Sequence, residues 1–299
     1  MFARRHPILF FVLALTGVLM SGVVALSLII AIAAAPEKEV APSGIGVVTI
    51  EGVISDSSQV LEDLRYFRDE EAIKAIVLRV NSPGGGVGAS QEVYRALLKT
   101  RDVKPVVTSM GGVAASGGYY AAAATSGIVA NSGTITGSIG VIMGYTNFRR
   151  ILDKIGLDPV VFKSGEMKDA GSPTREMTEK EREYLQHVVS SLHSQFVRHV
   201  AEARGMEEAV VGGLADGRIY TGLEAKELGL VDRLGNIEDA AAWAAELGGV
   251  EDIGELQYPP RPKERFVDYI LNSASTRIAD MLAKHGAVSP AYLYRLSGM

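Results

Sequence analysis

No cysteine occurs among the 299 residues, which excludes disulfides, thiolate metal sites and a cysteine nucleophile. Histidine is scarce as well. Of the five, His6 and His285 lie near the two ends, while His187, His193 and His199 recur every six residues. Six residues turn a helix through about 600°, so these three share no face and cannot form a helical i, i+4 metal pair. Neither a metal nor another cofactor is expected. An excess of positive charge is also missing. The chain carries 30 Lys and Arg against 35 Asp and Glu, a formal net charge of −5, which argues against binding a phosphate backbone. Nucleic acid is not an expected partner.

What the chain does have is apolar residues, at 47%, and part of the excess has a location. Positions 8–35 form 28 consecutive uncharged, mostly apolar residues, enough to cross a hydrocarbon core that needs about 20 helical residues. Arg4 and Arg5 precede this run, while Glu37, Lys38 and Glu39 follow it without net positive charge. The positive-inside rule then leaves residues 1–7 as a cytoplasmic stub, 8–35 as a membrane anchor and everything after the 36–43 linker exported. A cleaved signal peptide is the competing reading, since Ala31-Ile32-Ala33 and Ala33-Ala34-Ala35 resemble a small-residue cleavage site. The run is far longer than the usual apolar core of such a peptide, about 7–15 residues, and Pro36 fits badly beside a scissile bond.

Beyond the linker, short strand-like runs (45–50, 75–80, 106–109, 128–130, 138–142 and 159–163) alternate with helical stretches (58–69, 89–100 and 116–125). Such alternation predicts parallel pairing and an α/β class. A long helix is predicted over 178–204, with Thr178 and Glu181 in capping-box spacing and an apolar stripe at Leu185, Val188, Val189, Leu192 and Phe196 facing the core. A further helix over 237–247 closes a domain spanning 44–247. The remainder, 248–299, reads as a helical appendage for oligomer packing, with helical periodicity over 265–285. Its apolar tail, 292–296, is a candidate to lie in a substrate groove as a self-peptide.

The most suggestive residue is Ser116, in Ala115-Ser116-Gly117-Gly118-Tyr119-Tyr120, between a strand-like run and a run of small helical residues. A serine at such a turn has an approachable hydroxyl near converging helix-terminal amides, although it could equally be a simple helix cap. An alcohol nucleophile needs a base, and the histidines are poorly placed. Lysine is the remaining choice. A lysine amine is ordinarily charged at pH 7, and making it half neutral there takes about 4.6 kcal/mol of destabilisation of the ammonium. Lys168 and Lys163 both lie close after an apolar run, and composition does not choose between them. The turn Asn81-Ser82-Pro83-Gly84-Gly85-Gly86 could aim backbone amides at an oxyanion or cradle a phosphate, though it lacks the ending of a P-loop. Ser138, in the polar turn 131–141, could hydrogen-bond an amine or merely close the turn.

Five segments taken together resemble the signal peptide peptidase A (protease IV) family in its short form. They are Asn81-Ser-Pro-Gly-Gly85, Ala115-Ser116-Gly-Gly-Tyr-Tyr120, Thr136-Gly-Ser138-Ile-Gly-Val141, Lys163-Ser-Gly-Glu-Met-Lys168-Asp169 and Asp216-Gly-Arg-Ile-Tyr-Thr-Gly222. The resemblance covers about 45–245 and implies a Clp/crotonase-like fold of repeated ββα units after one N-terminal transmembrane helix. It further implies a serine endopeptidase with a Ser/Lys dyad: Ser116 as nucleophile, Lys168 as general base, Ser138 orienting the lysine amine, and the backbone amides of Gly85 and Gly117 as oxyanion hole. Expected substrates are hydrophobic peptides such as cleaved signal peptides, and the expected assembly is a homo-oligomeric ring on the membrane in which neighbouring protomers could share the dyad. Ser132 stands where the family has proline. The alternatives are an inactive homologue serving as a membrane scaffold and a crotonase-type acyl-CoA enzyme, which shares the fold without needing the dyad.

Overall fold

A computed structural model describes residues 42–260 and 291–293, together with positions 8, 15–17, 19–22 and 24. The chain divides into two units, 1–41 and 42–299. In the first, the described positions are helical. No helix among the described residues is long and apolar enough to cross a membrane, and the anchor expected over 8–35 lies mostly outside them. The helix expected over 265–285 lies outside them as well.

In the second unit, β1 (Pro42–Glu51), α1 (Ser58–Asp69), β2 (Ala75–Ser82), β3 (Gly84–Gly86), α2 (Val87–Arg101), β4 (Val106–Ala115), α3 (Gly117–Ala123), β5 (Gly127–Ala130) and β6 (Ile135–Gly137) follow in order. Then come α4 (Arg149–Ile155), a 3-10 turn (Glu166–Asp169), α5 (Glu179–Arg204), α6 (Glu208–Leu214), β7 (Ile219–Thr221), α7 (Gly222–Glu227), β8 (Arg233–Leu234), α8 (Ile237–Gly248), β9 (Glu255–Gln257) and β10 (Ala291–Leu293). The main sheet runs β7-β6-β4-β2-β1-β9, with β5 on β4 and β8 on β5. All its pairs are parallel except β6 with β7.

Period-two burial explains why this sheet is covered on both faces. Ile45, Val47, Ala75, Val77 and Val107 meet Ala240, Ala241, Ala244 and Ala245 of α8. Their neighbours Val48, Ile50, Ile76, Leu78, Val80, Val106 and Met110 point to the other side, into the core shared with α1, α2 and α3. Gly46 leaves room there for the Phe67 ring, since a Cβ at 46 would come within 2.6 Å of it.

Four sequence expectations change. The strand expected over 106–109 runs on through Gly111 and Gly112 to Ala115, because Asn81 braces the glycines and its side-chain oxygen accepts a bond from the Val113 amide at 3.3 Å. Residues 159–163 form no strand; Val160, Val161 and Phe162 are exposed and pair with nothing in this chain's sheets. The strand expected over 138–142 is replaced by β6 just before it. Along α5 the Thr178–Glu181 capping box forms as expected, but of the expected apolar stripe Phe196 alone is fully buried, while Leu185, Val188, Val189 and Leu192 are half-covered.

Phe67 is 1% exposed and backed by Gly46, so Phe67→Ala is expected to lower the unfolding free energy by about 3–5 kcal/mol, read as a fall in the urea midpoint.

Candidate active site

Ser116 and Ser138 are the two non-glycine residues with positive φ among the described residues, at 52° and 51°. They follow directly on the last pair of one ladder, Ala115↔Gly137. A serine held at positive φ costs about 1–3 kcal/mol and persists only where its surroundings impose it. Here the Ser116 amide donates to the Gly137 carbonyl at 2.8 Å, and the Ser138 amide donates to the Arg218 carbonyl at 2.8 Å. The turn before them is sewn to β4 by the hydroxyls of Thr134, donating to the Gly111 carbonyl, and Thr136, donating to the Ala114 carbonyl, each at 2.7 Å. Ser116 then opens α3, its carbonyl accepting from the Tyr120 amide at 2.8 Å. Its Oγ is buried and has no hydrogen-bond partner among the described residues.

Gly85 and Gly117 adjoin that hydroxyl's residue. A Cβ on Gly117 would lie 3.2 Å from the Gly85 nitrogen and 2.5 Å from Ser90 Oγ, so β3 and the start of α3 can approach this closely only with glycine at 117. Gly84 takes φ 104°, and its amide donates to Ser82 Oγ at 3.1 Å. Two amide-bearing glycines are thereby held side by side next to a strained, unpartnered serine hydroxyl, an arrangement suited to stabilising an oxyanion. Ser90, on α2, is fully buried and its Oγ also lacks a partner. Sequence reasoning missed it because it lies in an ordinary helical stretch and meets Gly117 only through the fold. β10 pairs antiparallel with β3 in the register Tyr292↔Gly85 and Leu293↔Gly84, so the tail lies against the strand that carries Gly85.

Lys168 is on the exposed 3-10 turn, its amide donating to the Gly165 carbonyl at 3.1 Å. Because Ser116 Oγ has no partner, the serine hydroxyl and the lysine amine are not joined within one chain. Lys163 is committed elsewhere: its Nζ donates to the Glu166 carbonyl at 2.9 Å and to Asp169 Oδ1 at 2.5 Å. Arg175 Nε binds the other Asp169 oxygen at 2.8 Å, its Nη2 binds the Asp169 carbonyl at 3.1 Å, and the guanidinium forks onto both oxygens of buried Glu181. Hydrogen bonds from Arg175 and Lys163 hold the Asp169 carboxyl well below the usual carboxylate range. Those from Arg175 and the Thr178 amide bring Glu181 down to about 2.

Of the α5 histidines, His199 takes a structural place. His199 Nδ1 is hydrogen-bonded to the Tyr120 hydroxyl, and the His199 ring stacks on Tyr94 with centroids 5.2 Å apart. Burial pushes Tyr94 up to about 12 and pulls His199 down.

Comparison with known proteins gives the family. The profile described as Peptidase family S49 matches residues 99–251, and that described as Clp protease matches 46–136. A Synechocystis sp. protein named as a protease is 46% identical over 196 residues, covering 65% of this chain and 71% of the relative. An Enterococcus faecium protein named as a signal peptide peptidase, SppA, is 39% identical over 206 residues, 64% of this chain and 60% of the relative. Protease 4 of Salmonella typhi is 36% identical over 220 residues, 73% of this chain and 35% of that protein. The parallel-rich α/β sheet fits a Clp-like fold. The chain is a serine peptidase. It belongs to peptidase family S49.

Gly117→Ala is expected to destabilise the protein by about 1–3 kcal/mol, seen as a lower thermal midpoint. Ser90→Ala in the same chain recovers part of that loss by removing the 2.5 Å neighbour.

Proposed function

We propose that this protein is a membrane-anchored endopeptidase that degrades hydrophobic peptides, such as cleaved signal peptides, with Ser116 as nucleophile and Lys168 as general base. The observation that carries this reading is Ser116 at positive φ, buried and without a partner for its hydroxyl among the described residues, beside Gly85 and Gly117. The neutral Lys168 amine takes the Ser116 proton as Oγ attacks the peptide carbonyl, and the Gly85 and Gly117 amides receive the developing oxyanion. The ammonium then returns its proton to the departing amine, leaving an acyl-enzyme. Lys168 next activates the water that releases the product. Ser138 orients the amine. The name of the Enterococcus faecium relative supports the signal-peptide substrate class. The apolar run 8–35 supports a single anchor, with the N-terminus in the cytoplasm and the catalytic domain outside.

The dyad is completed between neighbouring protomers of a ring. Two observations support this. Lys168 and Ser116 are not joined within one chain, and the segment leading to Lys168 exposes Ile142, Phe148, Ile151, Ile155, Leu157, Val160, Val161 and Phe162, the last at 95%. Contact with a second copy would cover those side chains and desolvate the lysine, which favours its neutral form. The β10–β3 pairing supports a second role for the tail, as an occupant of the substrate groove that incoming peptide must displace.

The test is hydrolysis of a small apolar fluorogenic peptide by the detergent-solubilised full chain across pH 6–10. Ser116→Ala and Lys168→Ala are each expected to abolish turnover, while mixing the two variants restores part of it by assembling one intact dyad from two chains. Full activity in Ser116→Ala overturns the nucleophile assignment and favours a scaffold. No recovery on mixing overturns the shared dyad. Truncation after Pro290 is expected to lower KM, and unchanged kinetics remove the tail from the groove.

A further inference from the structure

The residue immediately following the candidate base is a carboxylate. A free Asp169 beside Lys168 would favour the ammonium and work against a lysine that must be neutral to accept a proton. In the structure that carboxylate is fully engaged: Lys163 holds Oδ1 at 2.5 Å and Arg175 holds Oδ2 at 2.8 Å. The other acid of the turn, Glu166, pairs with Lys180 of α5 at 2.5 Å. On the α5 side, Glu181 is 3% exposed and is taken up by Arg175 and the Thr178 amide. The flanking loop and the start of α5 also carry Glu176, paired with Arg149 at 3.5 Å, and Glu179, paired with Arg182 at 3.5 Å, while Lys168 has no ion pair or hydrogen bond from Nζ among the described residues. Arg175 also binds the Asp169 main-chain carbonyl, so one guanidinium fixes both the charge and the backbone of the turn.

We propose that Arg175 is a positioning residue for the peptidase reaction, holding Asp169 away from the Lys168 amine and anchoring the lysine-bearing turn to the buried Glu181 at the head of α5. This rests on Lys168 being the base, as argued above. Arg175 touches neither substrate nor the reacting atoms. It acts by sequestering the one carboxylate that adjoins the base in the chain, and α5 supplies the fixed point from which it does so.

The measurement is the pH dependence of kcat/KM for the fluorogenic peptide with the intact chain. In Arg175→Gln one oxygen of Asp169 and both oxygens of Glu181, more distant in the chain, lose their arginine, and the acidic limb is expected to move about one pH unit to the alkaline side. Activity at pH 7 then falls about tenfold, with recovery towards the wild-type plateau near pH 10. Adding Asp169→Asn removes the released charge and is expected to bring the limb back. An unmoved limb, an equal loss at every pH, or a limb that stays displaced in the double variant overturns the proposal. Should Arg175→Gln fail to fold, Lys163→Gln frees the other oxygen of the same carboxylate while leaving Glu181 paired. The same alkaline displacement is expected of it, and an unmoved limb again overturns the idea. Lys168→Ala run alongside separates the two levels. If it is inactive and the limb does not move, this inference alone fails; if it retains activity, the base assignment fails and this inference falls with it.

Discussion

A backbone strand can satisfy one neighbour on each edge, and β4 uses the same edge twice. Val107–Met110 pair with β5, and Val113–Ala115 pair with β6. The change of partner falls at Gly111–Gly112, where the register with β2 also breaks, from Val80↔Met110 to Ser82↔Ala114. Without side chains there, the strand can bend, and the Asn81 amide oxygen takes up the Val113 donor that the break leaves over. Everything at the site follows from this fork. It places β6 beside the last residues of β4, so that Ser116 and Ser138 leave one ladder together, each at a positive φ that the hydrogen bonds to Gly137 and Arg218 hold in place.

The turn that carries Lys168 depends on charge. Lys163, Asp169, Arg175 and Glu181 form a chain of ion pairs whose members range from half-exposed to nearly buried. Exposed pairs contribute little to stability, but a bidentate arginine on a buried carboxylate fixes geometry. Glu181 does double duty as the third residue of the α5 capping box. The lysine-bearing turn is thereby tied to a long helix whose far end packs Phe196 and Val200 into the core beneath α3. A short, exposed segment with no buried residues of its own acquires a defined place in this way.

Much of the architecture was legible locally. The strands at β1, β2 and β5, the helix α1 and the Thr178 cap are written in nearby residues, because period-two burial and capping are interactions of short range. The strand-to-helix turn at Ser116 was legible from its glycine neighbours. That Lys163 rather than Lys168 pairs with Asp169 was not legible from composition, since it depends on how the turn folds back. Ser90 was invisible because its significance is a contact with Gly117 across two elements. Residues 159–163 read as a strand by hydrophobicity alone, yet they are exposed in this chain, and an apolar run does not say what will cover it.

By itself the sequence determined the α/β class, the positions of the Gly-rich turns and the absence of thiol chemistry, all of which depend on residue type and near-neighbour spacing. Tertiary structure alone decided that β4 forks, that Gly85 and Gly117 meet, and that Arg175 reaches both Asp169 and Glu181. The reason is physical: hydrogen-bond partners, close approaches and ion pairs between residues far apart in the chain are settled by how the elements pack, and no local pattern records them.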